Sequence, residues 1–435
     1  MITQQEYQAR RNTLAQQLPE GSVAIIIAAH EQLRNGDAHY RFRQDSNFYY
    51  LTGFNEPDAI LVLIAGNESQ SILFNRPRNP AAEQWTGRRL GQQGAVEELG
   101  MQQAFSIDDV AEELPGLLSG KSAVYYSLAR NAELEQLIMD SLAVLKDQVR
   151  RGVQAPNCLC DLEPILGEMR LIKSEAELDL MRQAARISVD AHLRAMRQCK
   201  ELHTEYQLEA ELIYEFSRQG CRSVAYDPIV GGGENACVLH YTDNSHPLNS
   251  GDLVLIDAGG EYENYAADIT RTFPINGKFS PEQKSIYELV LKSQKAGIAV
   301  VKPGAPWNLV QQTIIRILTE GLCELGILQG EVDELIMQEA YRSFYMHNSG
   351  HWLGLDVHDS GLYKIDGDWR PLVPGMVLTV EPGLYISSNI PGVDKRWWGI
   401  GVRIEDDVAV TATGHEVLTG ALPVDVADIE ALMRD

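Results

Sequence analysis

Leu253 to Ile256 form a short, uninterrupted apolar run, the pattern of a strand buried on both faces. The run ends on Asp257, and Ala258, Gly259 and Gly260 mark a turn. A second strand follows, whose period of two puts Ala266, Asp268, Thr270 and Thr272 on one face. The same text returns further on: Pro371 to Gly383 aligns with Pro247 to Gly259 without a gap, pairing Gly251 with Gly375 and Asp257 with Glu381. This copy also runs into an alternating strand, Ile400 to Val408, with Arg403 and Glu405 on one face. We read an internal repeat whose two halves converge on a pseudo-twofold axis, each offering two acids.

Upstream, strand and helix patterns alternate. Val23 to Ala28, Ile60 to Ile64 and Ile72 to Phe74 read as buried strands; Glu112 to Leu118 and Asn131 to Leu145 carry helical periodicity. That alternation predicts an α/β domain. Gln154 to Asn157 reads as a connector. Ser174 and Glu177 then form a capping box that opens a helix with an apolar stripe of Leu178, Met181, Ala185 and Val189. The expected division is an N-terminal α/β domain with linker, residues 1–172, and a pseudo-twofold catalytic domain, residues 173–435, an α/β (α+β) chain overall. Within the second part we expect a helix from Glu201 to Phe216 and a loop from Tyr226 to Asn235. A strand from Val238 to Tyr241 would carry His240, and helices would run from Pro281 to Val300 and from Trp307 to Leu325. The triple glycine 231–233 lacks the lysine and the following helix of a phosphate cradle and reads as a flexible turn.

The 435 residues carry 44% hydrophobic and 23% charged side chains, the balance of a soluble globular protein with room for two cores. A formal charge of −24 argues against nucleic acid or an anionic membrane surface as partner. The first residues lack the apolar stretch of a signal peptide, and no apolar run approaches a spanning helix. Six scattered cysteines suggest neither a disulfide framework nor a zinc ribbon. The expectation is a cytoplasmic protein. Arg41, Arg43, Trp85, Arg88 and Arg89 make an unusual surface that reads as a solvated face or a subunit contact.

The candidate chemistry lies in Asp257, Asp268, Glu381 and Glu405, together with a histidine from the segment that holds His347, His351 and His358. A carboxylate at the end of a buried strand is costly unless a cation or several donors meet it. The set is rich in oxygen, poor in nitrogen and free of thiolate, which favours harder divalent ions such as manganese, or cobalt and zinc in vitro. Four carboxylates balance two divalent ions, and a pair of ions can share and activate a water. The alternative is a salt-bridge cluster around Arg403 and Arg271, but two arginines do not neutralise four acids.

The motifs LIDAG, ADITRTF, HWLGLDVHD, TVEPG and GVRIEDD, with EMRLIKSEAELDLMRQA before them, resemble the pita-bread metallopeptidases. RQDSNFYYLTGFNEPDA and WTGRRLG narrow the resemblance, over nearly the whole length, to the bacterial aminopeptidase P family. The resemblance implies two divalent metal ions, with Asp257 on one, His351 and Glu381 on the other, and Asp268 and Glu405 bridging. It implies that Glu381 shuttles a proton and that His240 and His358 bind substrate and steady the oxyanion. Arg403 would pair with the ligand cluster, Tyr226, His347 and Tyr385 would line the proline site, and Arg150 would close it. The implied substrates are peptides with proline in second position. A tetramer is implied too, in which the Trp85 loop reaches a neighbour's cleft. Asn348 and Gly350 depart from the family pattern, which often has glycine after the first histidine and serine before the ligand histidine. A dipeptidase of the same fold, cleaving only Xaa-Pro, is the nearest alternative, and a metal-free binding module is one from another class.

Overall fold

The computed structural model describes residues 1–66 and 68–434 and separates into two compact units, Met1–Arg170 and Leu171–Asp435. In the first, six strands form one sheet: β1 (Ser22–Ile27), β2 (Ile60–Ile64), β3 (Gln70–Asn75), β4 (Gln103–Ser106), β5 (Ala123–Tyr126) and β6 (Cys158–Asp161), ordered β4-β3-β2-β1-β5-β6. β1 runs antiparallel to β2 and parallel to β5. Val23, Ile25, Val62, Phe74 and Val124 pack against Leu114, Leu118, Ile138 and Leu142 of helices Val110–Leu118 and Ala132–Asp147. The apolar runs of β1, β2, β3 and β5 are continuous because most of each of these strands is buried.

The second unit opens with α1 (Glu175–Gln198), where the serine and glutamate of the capping box make both expected hydrogen bonds. α2 (Glu205–Arg218), α3 (Pro281–Ala299) and α4 (Asn308–Glu324) follow. The first copy of the repeat contains β8 (Leu253–Asp257), β9 (Gly260–Tyr262), β10 (Tyr265–Ala266) and β11 (Thr270–Pro274); before them, β7 (Ile229–Gly232) flanks β8. The second contains β12 (Val377–Val380), β13 (Gly383–Ile386), β14 (Ile400–Arg403) and β15 (Asp406–Val410). In each copy the first strand pairs with the fourth and the second with the third, all antiparallel. The two copies therefore match strand for strand. Ile187, Leu208, Phe216, Ile256, Phe273, Val290, Ile314, Val380, Val402 and Val408 join the helices and both copies in one core.

Three local expectations are corrected. The alternating strands Ala266–Thr272 and Ile400–Val408 are each broken at the acid: Asp268 lies between β10 and β11, and Glu405 between β14 and β15. At the breaks the two copies bond each other, Glu405 N–H to the Thr270 carbonyl at 3.1 Å and Asp268 N–H to the Asp407 carboxylate at 3.2 Å. Within the first copy, Gly259 lets the turn after β8 lie against the broken stretch, since a Cβ there would lie 1.7 Å from the Ala267 carbonyl oxygen. Secondly, residues 229–232 are strand β7, because Ile229 and Val230 are buried against β8. Thirdly, Val238–Tyr241 is a turn after the 3-10 helix Gly233–Cys237. Among the described residues no helix is long and apolar enough to cross a membrane.

Candidate metal centre

Asp257 ends β8, Asp268 and Glu405 occupy the two breaks, and Glu381 follows β12, so each copy supplies one acid from a strand end and one from a break. Asp257, Asp268 and Glu405 are buried and Glu381 is partly so. Ligand atoms of Asp268, His351 and Glu405 lie within 4.8 Å of one another. His351 Nε2 stands 3.5 Å from Asp268 and 3.8 Å from Glu381, while its Nδ1 meets the Trp352 carbonyl at 3.0 Å. A carbonyl only accepts, so Nδ1 carries a proton there and Nε2 is the nitrogen turned to the acids.

Arg403 faces these carboxylates. Its Nη2 donates to Asp257 at 2.6 Å, its Nε to the Thr270 hydroxyl at 3.1 Å, and that hydroxyl donates to Glu405 at 2.6 Å. Arg271 is committed elsewhere: one Nη donates to the Asp406 carboxylate at 2.7 Å and the other to the Glu405 backbone carbonyl at 2.6 Å. It therefore balances Asp406, and the salt-bridge alternative fails on its second arginine. One guanidinium beside four acids leaves an excess of negative charge in a buried place.

The protonation equilibria carry the mark of that excess. Burial, with Asp268, Glu381 and Asp257 around it, pushes Glu405 well above the usual carboxylate range. Burial pushes Glu381 up to about 7 against the pull of His351. Burial likewise raises Asp257, although Arg403 opposes it. Asp268 goes the other way: burial is outweighed by the His351 and Tyr226 hydrogen bonds, which hold it below the ordinary value. Burial works against the His351 cation too, but Asp268 and Glu381 lift it to about 9. Protons here do the work that cations would do better. Divalent ions meet the need these residues create, and an all-oxygen set with one imidazole fits the harder ones.

Around the acids lies a cavity of ≈ 730 Å³ whose walls include Tyr226, His240, His347, His358, Tyr363 and Arg403. The Tyr226 hydroxyl sits 2.5 Å from both Asp257 and Asp268. Tyr385 accepts from Arg403 Nη1 at 2.9 Å and lies 2.8 Å from His347 Nε2, and His347 Nδ1 lies 2.7 Å from the Asn348 carbonyl. His347 is therefore neutral, protonated on Nδ1, with Nε2 accepting from Tyr385; burial and the nearby Arg403 hold its pKa down at about 3. The rings of His351 and His358 are 4.3 Å apart, edge to face. Asn348 and Gly350, the departures from the family pattern, sit on the wall beside His351. A Cβ at Gly350 would lie 2.1 Å from the Thr379 carbonyl oxygen, so in this chain glycine lets β12 approach the ligand loop.

Every proposed site residue but Arg150 is thus brought together in the second unit. Arg150 is exposed in the 3-10 turn Val149–Arg151 of the first. Sequence reasoning missed Tyr363, whose hydroxyl accepts from Trp352 N–H at 3.2 Å beside the ligand loop, because nothing in its local pattern marks it. It named Thr270 only as a strand position, although sharing a face with Asp268 was a signal. It also missed Asp407, for which the pattern held none.

Paired acids from two matching hairpins, joined by one imidazole, define a metallohydrolase centre of the pita-bread type. Residues 179–412 match the profile of metallopeptidase family M24, and residues 7–125 that of the aminopeptidase P N-terminal domain. The chain is 48% identical over 434 residues to the Xaa-Pro aminopeptidase of Escherichia coli K12, covering 99% of this chain and 98% of that protein. Among solved structures, Pseudomonas aeruginosa aminopeptidase PepP superposes with a TM-score of 0.98 at 50% identity, covering 100% of this chain and 98% of the other. A zinc-substituted E. coli aminopeptidase P in complex with product gives a TM-score of 0.97 at 48% identity, with the same coverage of both chains. The chain belongs to metallopeptidase family M24.

Proposed function

We propose that this protein is a metal-dependent Xaa-Pro aminopeptidase, hydrolysing the bond between an N-terminal residue and a following proline. The observation that carries the reading is the convergence of Asp268, Glu381 and Glu405 on His351, with Asp257 joined to Asp268 through the Tyr226 hydroxyl and one guanidinium to offset the four acids. Asp257 would hold one ion, His351 and Glu381 the other, with Asp268 and Glu405 shared. Bound there, two divalent ions, for which manganese suits the oxygen-rich set, supply Lewis acidity and a water able to attack near neutral pH.

The rest of the work falls to the chain. Glu381, beside His351 on the cavity wall, is placed to take a proton from the attacking water and pass it to the departing proline nitrogen. His240 and His358, on the cavity wall, can donate to the carbonyl oxygen as it gains charge. Arg403 fixes Asp257 and, through Tyr385, the neutral His347. Tyr226, His347 and Tyr385 then offer rings and fixed hydroxyls to the proline, which has no N–H and must be read by shape. Arg150 is assigned to closing the site over the peptide. The chain works as a 1–172 N-terminal domain with linker and a 173–435 catalytic domain, assembled as a cytoplasmic tetramer in which Trp85, 88% exposed on its own chain, meets a neighbour. The test is hydrolysis of Arg-Pro-Pro beside Arg-Pro. Release of arginine from the tripeptide supports the reading, and cleavage of the dipeptide alone would replace it with a dipeptidase.

A further inference from the structure

Glu205, the first residue of α2, is fully buried, yet among the described residues no lysine or arginine holds its carboxylate. It meets instead four donors, among the described residues, from one short excursion of chain. Oε1 accepts from Gly232 N–H at 2.8 Å and from Asn235 Nδ2 at 2.9 Å; Oε2 accepts from the Tyr241 hydroxyl at 2.7 Å and from His246 N–H at 2.8 Å. The first two donors precede His240 and the last two follow it. Each carboxylate oxygen thus grips one arm of the turn that carries this histidine to the cavity. The grip is reinforced by Glu205 N–H, which donates to the His246 carbonyl at 3.0 Å. On the far side, β14 presses on the same turn, where a Cβ at Gly401 would lie 2.3 Å from the Ala236 carbonyl oxygen.

We infer that Glu205 is a positioning residue for the reaction, holding His240 at a fixed reach from the substrate carbonyl. Residues 238–241 belong to no strand and His240 itself is exposed, so beside the packing of Leu239 and Tyr241 with Leu255 and Tyr385 the hydrogen bonds to Glu205 set the course of the turn. A carboxylate that accepts four hydrogen bonds is the acceptor-only group the site requires. A glutamine of the same shape keeps one oxygen but turns an NH₂ towards two donors, of which the His246 N–H cannot reverse. The substitution therefore loosens one arm of the turn without opening a cavity. Displacements of about 1 Å at a reacting group cost on the order of 10²-fold in rate.

The inference rests on the assignment of His240 to the substrate, and the experiment separates the two. Glu205→Gln, His240→Ala and the double variant are compared for kcat, KM, metal content and amide exchange over residues 232–246. Expected are faster exchange in that segment, unaltered metal content, a kcat lower by roughly 10- to 100-fold with KM changed far less, and a double variant no slower than His240→Ala within about twofold. Losses that multiply in the double variant, or unchanged exchange and kcat in Glu205→Gln, would overturn the positioning role. Full activity in His240→Ala would overturn the assignment of His240, and the catalytic part of the inference with it, while faster exchange in Glu205→Gln would still stand as the structural part. Glu205→Asp, which keeps the charge, should recover part of the lost kcat.

Discussion

Loading the centre with divalent ions should expel protons, and their number can be worked out from the site. His351 offers Nε2 to the acids and has a pKa of about 9, so at pH 7 it carries nearly one proton that a cation must displace. Glu381, at about 7, carries about half a proton at that pH. Glu405 stands well above its ordinary value and adds a share of its own. Loading at pH 7 should thus release about 1.5 protons or more per chain, and any water the ions acidify only adds to the count. The sign follows directly: raising the pH removes these protons beforehand, so apparent metal affinity climbs from pH 6 to pH 8. The assay is calorimetric titration of the stripped enzyme with manganese in buffers of different ionisation enthalpy. A release below about one proton per chain at pH 7, or proton uptake, would refute the claim that buried protonated groups become the ligands.

Other expectations follow from the same geometry. Asp268→Ala removes an acid proposed to be shared and should abolish tight binding of both ions; elemental analysis showing two retained ions would count against the sharing. His358→Ala should keep both ions while kcat falls roughly 10²–10³-fold, the worth of one oxyanion donor; unchanged turnover would deny it that part. Lys173 and Asp359 form an ion pair at 2.9 Å with both side chains 1% exposed, directly beside His358 in sequence. Lys173→Met removes this cation from a buried ion pair and should lower unfolding free energy by about 3–5 kcal/mol in a denaturant titration; a loss under about 1 kcal/mol would show the pair to be dispensable.

The legible parts of this protein were those written in local pattern. Apolar runs closed by an acid and a glycine marked both copies of the repeat, and the capping box at Ser174 opened a helix as expected. Charge counting led to a metal centre, and the arrangement of Arg271 on Asp406 explains why the rival salt-bridge cluster does not form. What the pattern hid was set by distant partners. The strand breaks at Asp268 and Glu405 exist because the two copies bond each other there, across more than a hundred residues of chain. Val238 to Tyr241 read as a strand, whereas the segment is a turn held by Glu205, some 35 residues earlier, through Tyr241 and Asn235. Periodicity reports which face of an element is buried and says nothing of which remote side chain bends it.

The account turns on four acids and one histidine acting together on a pair of ions. Anomalous scattering from manganese-loaded crystals, recorded at the manganese edge, tests this directly. We expect two peaks about 3.5–4 Å apart, with Asp268 and Glu405 reaching both, Asp257 reaching one, and His351 and Glu381 the other. A single peak, or two ions not shared by these acids, would contradict it.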